Sequence, residues 1–118
     1  MSCTRRWLDD FLSLPEEELI RHAQSQIKKG YIPVLFDQHR TTDWKPQHHK
    51  FSTVADRPFS DIVNKVRTEY YKNPARGLAY FCGGELICPT QTVGELYARH
   101  KTEHGFLIVT VMEESCFG

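Results

Sequence analysis

The residue best suited to chemistry in this chain is its last, Gly118, which follows the short polar run Glu113-Glu114-Ser115-Cys116-Phe117. A terminal carboxylate with no side chain beside it can thread a narrow enzyme cleft, be activated as an acyl donor and be passed to an amine. Glycine also leaves the tail backbone unrestricted. Other reactive groups read more simply. His48-His49 and His100-x-x-x-His104 supply ligand types but no third ligand at zinc spacing. Cys3, Cys82, Cys88 and Cys116 include no Cys-x-x-Cys pair, which favours free thiols in a reducing compartment over a disulfide frame or a zinc site. Cys82 and Cys88 fit small core residues better than halves of a Cys/His nucleophile. Glu16-Glu17-Glu18 is a favourable charge cluster at a helix start. Gly83-Gly84 suits a hairpin rather than a phosphate loop, because no helix follows it at once. The reading therefore assigns no catalytic residue, metal ligand or cofactor, and the chain is expected not to be an enzyme.

Composition sets the outer bounds. At 118 residues the chain fits one domain with its own core. Fifteen basic and fifteen acidic residues cancel, so no global field points to nucleic acid or to an acidic membrane. No apolar run reaches the roughly 18 residues of a spanning helix, and the first residues lack the apolar stretch of a signal peptide. A cytoplasmic protein is expected.

The elements that must position Gly118 follow from periodicity. Residues 4–29 read as helical: Trp7, Leu8, Phe11 and Leu12 form one stripe, and Pro15 interrupts it. Ser13 and Glu16 have capping-box spacing, and Leu19, Ile20, Ala23 and Ile27 continue an apolar face to a stop at Gly30. Tyr31 to Asp37 reads as a strand in which Pro33 faces an unpaired side or a bulge. Residues 38–49 read as a loop and Phe51 to Val54 as a second strand. Phe59, Ile62, Val63, Val66 and Tyr70 share one face of a helix ended by Asn73-Pro74. Leu78 to Cys82 and Glu85 to Cys88 form a hairpin about Gly83-Gly84, whose turn needs positive φ at both central residues. Thr92-x-x-Glu95 is a capping box for a short helix that Gly105 follows, and Phe106 to Met112 reads as a buried central strand. The order is two helices, then β-β-α-β-β-α-β. A sheet of this order can wrap the amphipathic helix, which predicts an α+β ubiquitin-like β-grasp with two additional N-terminal helices. The division is a helical extension over residues 1–30 and a β-grasp domain with a C-terminal tail over 31–118.

This order, together with particular residues, resembles the autophagy ubiquitin-like modifiers of the GABARAP and light-chain-three family. The matching pieces are Ile32-Pro33-Val34, Lys50-Phe51, the helix from Phe59 to Tyr70 with Arg67, Gly94-x-Leu96-Tyr97, Gly105-Phe106-Leu107 and Phe117-Gly118. They span about three quarters of the chain. That family consists of protein tags, activated at the terminal glycine, joined to phosphatidylethanolamine and bound by receptors carrying an aromatic-x-x-aliphatic motif.

The resemblance implies roles for residues of this chain. Gly118 would be the acyl donor, with Phe117 docking the tail on activating and conjugating enzymes and on a processing cysteine protease. Peptide ligands would lie between the N-terminal helices and the second strand. One pocket would use Pro33, Lys50, Ser52 and Phe106, and the other Phe51, Thr53, Val54 and Ile62, with Val66 and Arg67 on the same helix. Lys50 would wall a pocket with its stem while its ammonium meets acidic residues before the motif. The implied location is cytoplasmic, and autophagosomal once lipidated.

Departures from the family pattern matter. Ser52-Thr53-Val54 stands where Leu-Val-Pro is usual, and Lys65 and Glu69 replace an apolar and a basic residue. Loss of apolar wall predicts weaker or altered motif binding, by on the order of 1–3 kcal/mol. Arg5-Arg6 followed by Asp9-Asp10 is less basic than usual, which argues against cytoskeletal binding. Trp7 and Phe11 are expected to pack on the β-grasp rather than touch membrane. Two rivals remain: the sister autophagy modifier, which ends in Trp-Gly and joins a protein lysine, and a β-grasp peptide-binding module that is never conjugated.

Overall fold

A computed structural model of the chain describes residues 7–38, 50–70 and 77–113. Gly118, Phe117, Cys3, Cys116, His48-His49, most of the expected loop at 38–49 and the Asn73-Pro74 stop lie outside the described residues.

Two short helices lead, α1 (Trp7–Leu12) and α2 (Glu16–Ile27). Then come β1 (Ile32–Gln38), β2 (Lys50–Thr53), α3 (Phe59–Lys65), β3 (Leu78–Cys82), β4 (Glu85–Leu86), α4 (Val93–His100) and β5 (Leu107–Glu113). The strands form one mixed sheet in the order β2-β1-β5-β3-β4. The last strand is central, parallel to β1 and antiparallel to β3. That placement explains its continuous apolar run, since a strand covered on both faces has no polar side to show.

Alternation along the strands divides the interior in two. Ile32, Val34 and Phe36 of β1 and Leu107, Val109 and Val111 of β5 face α3 and α4, where Phe59, Ile62, Val66, Val93 and Leu96 complete the main core. Each fully buried side chain of this size contributes roughly 1.5–3 kcal/mol. Leu35 of β1 and Phe106 face the other way, against Leu8, Phe11, Leu19 and Ala23 of α1 and α2. Phe11 meets Phe106 edge-on at 5.5 Å and stacks on Trp7 at 5.0 Å. The leading helices are therefore packed on the sheet, as their apolar stripes required.

Gly83 and Gly84 have φ of 58° and 82°, the pair of positive values that the tight hairpin demands. At Gly94 the reason is space: its N–H donates to the Ala55 carbonyl at 2.8 Å, and a Cβ would meet that oxygen at 3.0 Å.

Several local expectations are corrected. Ser13 does not cap α2; its hydroxyl donates back to the Asp10 carbonyl at 2.6 Å, and Pro15 precedes the helix with no side-chain cap. Ile20 lies off the buried stripe and is 41% exposed. β1 and β2 each begin and end one residue from their expected bounds, and Tyr31 is left outside the sheet. Pro33 precedes the ladder with β5, which starts at Val34, so its missing donor leaves that ladder intact. The long helix changes pitch: α3 stops at Lys65 and Val66–Tyr70 continue as a π-helical turn. There Thr68 Oγ donates to the carbonyls of Asn64 at 2.8 Å and Lys65 at 3.4 Å, a competitor for the helical ladder. β4 is only two residues long, although Ile87 N–H still donates to the Tyr80 carbonyl at 2.8 Å. α4 ends at His100, five residues before Gly105. β5 runs to Glu113 and leaves Phe106 just outside it.

Candidate functional site

β2 pairs on one side with β1 and lies at the edge of the sheet, so its other side offers unpaired backbone groups. Its four residues alternate between the two faces. Phe51 and Thr53 turn toward α3, where Phe51 stacks on Phe36 at 4.9 Å and Thr53 is buried. Lys50 and Ser52 turn toward the leading helices, Lys50 setting its ammonium 5.2 Å from the Phe11 ring centroid.

A cavity opens on each side of this edge. The first, of about 170 Å³, lies between α2 and β2. Pro33, Lys50, Ser52 and Phe106, the four residues expected for one pocket, all line it. The second, of about 210 Å³, lies between β2 and α3 and is lined by all four residues expected for the other pocket, Phe51, Thr53, Val54 and Ile62. Ile62 and Phe106 are each 2% exposed, so they form floors rather than walls. Val66 is fully buried in the main core and Arg67 is exposed on the π-helical turn, and neither lines these two cavities.

Residues that the sequence reading did not single out also line the cavities. In the first they are His22, Ser25 and Gln26, the stripe of α2 beside its buried one. Their spacing of three and four was visible in the sequence. In the second they are Tyr31, Arg57 and Asp61. Lys65, noted only as a departure, joins them, with its ammonium 5.8 Å from the Phe51 ring centroid. Arg57 pairs with Asp61 at 3.8 Å.

The remaining reactive groups are engaged elsewhere. His100 Nε2 lies 3.2 Å from Glu85, and His104 Nε2 lies 3.8 Å from Glu16, so the two histidines serve different elements. Among the described residues no three metal-ligating side chains cluster. The Cys82 thiol is buried and pushed up to about 11 by desolvation, with the Glu85 carboxylate adding to the effect. The arrangement as a whole is an open strand edge flanked by two cavities, which suits strand addition by an extended peptide with side chains entering on both faces.

Comparison with known proteins agrees with this geometry. No family model matches the chain. Autophagy-related protein 8 of Dictyostelium discoideum is 28% identical over 103 residues, which cover 83% of this chain and 84% of that protein. The crystal structure of Trypanosoma brucei ATG8 superposes with a TM-score of 0.79 at 17% identity, covering 87% of this chain and 91% of that one. The fold is thus the α+β ubiquitin-like one with N-terminal helices.

Proposed function

We propose that this chain, a ubiquitin-like protein of the autophagy-related protein 8 family, is a covalent tag joined through Gly118 to phosphatidylethanolamine. In this reading it recruits receptors that carry an aromatic-x-x-aliphatic motif. The observation that carries the reading is the pair of cavities, about 170 and 210 Å³, on either side of one open strand edge. An extended ligand adds to β2 by main-chain hydrogen bonds and places alternate side chains in the two cavities. Pro33, Lys50, Ser52 and Phe106 receive the aromatic residue; Phe51, Thr53, Val54 and Ile62 receive the aliphatic one.

Conjugation asks nothing catalytic of the tag. The Gly118 carboxylate is adenylated, passed to a cysteine of an activating and then a conjugating enzyme as a thioester, and transferred to the lipid amine, after a cysteine protease has processed the chain. The acyl chains of the lipid then hold the protein on the autophagosomal membrane. Among the described residues no helix is long and apolar enough to cross a membrane. The division into a helical extension of residues 1–30 and a β-grasp body of 31–118 belongs to the same reading.

A reconstituted conjugation reaction with ATP, the two enzymes and liposomes tests it. The expected result is a mobility shift that requires phosphatidylethanolamine and disappears in Gly118→Ala. A shift that requires only a protein acceptor points instead to the lysine-joined sister modifier, a reading favoured by the polar lining of the second cavity. Peptide binding without any conjugate points to a β-grasp module that is never conjugated.

A further inference from the structure

The second cavity is where the reading above seats an aliphatic side chain, yet its mouth is charged. Arg57 and Asp61 face one another at 3.8 Å, each with its side chain 49% exposed. Lys65 follows Asp61 by one helical turn on α3 and lies over the Phe51 ring. The other lining side chains are neutral, and those of Tyr31, Ser52 and Thr53 carry hydroxyls. Two cations against one carboxylate leave the lining net positive. The apolar remainder is small, because Ile62 is almost wholly committed to the core. A leucine seated here would cover part of the Arg57 and Lys65 head groups without offering them a partner, and desolvating a charge opposes that. A carboxylate on a stem of similar length keeps the apolar contact with Phe51 and gives both cations an acceptor.

We propose that this second pocket selects an acidic side chain, so that the preferred partner is an extended peptide of the form aromatic-x-x-Glu. The inference rests on the groove reading of the proposed function and changes its last position only. The first cavity keeps the aromatic residue. Lys65 and Arg57 are the specificity-determining residues: their stems wall the pocket and their head groups read the ligand. Because both cations are partly solvated, the preference is modest, about three- to tenfold in Kd at low ionic strength.

Two synthetic peptides that differ only at the last motif position, Glu against Leu, are titrated calorimetrically into the full chain at low salt and again in about 1 M NaCl. The Glu peptide is expected to bind about three- to tenfold more tightly at low salt, with the ratio falling toward one when charges are screened. Lys65→Leu is expected to reverse the preference and Lys65→Arg to retain it. The Lys65 side chain is exposed, so neither change disturbs the core. If the Leu peptide binds as well or better, or if the ratio ignores both salt and Lys65→Leu, the acidic preference is wrong while the groove stands. If neither peptide binds, the groove itself is wrong and this inference goes with it.

Discussion

Ser52 Oγ donates to Gln26 Oε1 at 2.8 Å, and this bond ties the open edge strand of the sheet to the second leading helix. It crosses the first cavity, so position 52 is polar where the resemblance expects an apolar wall. Ser52→Leu removes the bond and restores about one apolar side chain to that wall. The net worth of a neutral, largely solvated hydrogen bond is about 1 kcal/mol, so the fold should melt within a few degrees of the original. Binding of an aromatic-anchored peptide should tighten by about 1–2 kcal/mol, or roughly five- to thirtyfold. Calorimetric titration beside a thermal melt measures both. Weaker binding would show that the Ser52–Gln26 bridge is itself part of the surface the ligand reads.

At Thr92 both halves of a capping box are present. The Glu95 N–H donates to Thr92 Oγ at 3.1 Å, and the Thr92 N–H donates to Glu95 Oε1 at 2.9 Å. Thr92→Ala should cost about 1 kcal/mol in urea denaturation at neutral pH. The pH dependence has a definite sign. The Thr92 backbone N–H, and after it the Thr92 hydroxyl, hold the Glu95 carboxyl below its ordinary value of 4.5. A group with a depressed native value adds stability above its unfolded value and loses it as pH falls through the native one. The gap between parent and Thr92→Ala should therefore be full above pH 4.5 and narrow below it. A gap that widened on acidification would contradict the assignment.

What the sequence disclosed, and what it hid, divides along the range of the interactions involved. The unbroken apolar run of β5 declared a strand covered on both faces. Gly83-Gly84 declared a hairpin, and Thr92-x-x-Glu95 declared a helix start. Each of these signals is local and has few competing solutions. Ser13-x-x-Glu16 had the same spacing as the second box but failed, because the Asp10 carbonyl at the end of α1 offered the Ser13 hydroxyl a nearer acceptor. The switch to a π-helical turn after Lys65 carries no periodic signature. The cavities were half legible. Residues at strand positions could be placed by alternation, whereas Arg57 and Asp61 reach the second cavity only because the chain after β2 folds back along the strand into α3. That return is a tertiary fact.

Gly83 and Gly84 share a turn but not an environment. A Cβ on Gly84 would meet open space, whereas one on Gly83 would stand 2.8 Å from His100 Nδ1. Both carry positive φ, so each alanine adds backbone strain of about 1–2 kcal/mol. Gly83→Ala must in addition displace the His100 ring, whose Nε2 lies 3.2 Å from Glu85 across the hairpin. Denaturant titration of both variants should therefore rank Gly83→Ala as clearly the less stable. Equal losses would mean that the ring moves aside at no cost and that the His100–Glu85 contact contributes nothing.

Two described thiols should differ sharply in reactivity. Cys82 is 2% exposed, its Sγ–H donates to the Ile108 carbonyl at 3.1 Å, and burial together with Glu85 pushes it up to about 11. Cys88 is exposed on the turn after β4, and a hydrogen bond with the Thr90 hydroxyl, 3.1 Å away, holds its thiol below the usual value. The thiolate is the nucleophile, so access and acidity act together. Iodoacetamide at pH 7.5, read by peptide mass mapping, should alkylate Cys88 readily and leave Cys82 unmodified until denaturant is added. Thr90→Val removes the hydroxyl while keeping the shape, and should slow labelling of Cys88 without exposing Cys82. Comparable labelling of both cysteines in the native protein would mean that β3 opens on the timescale of the reaction. The central pairing of β3 with β5 would then be far weaker than its burial implies.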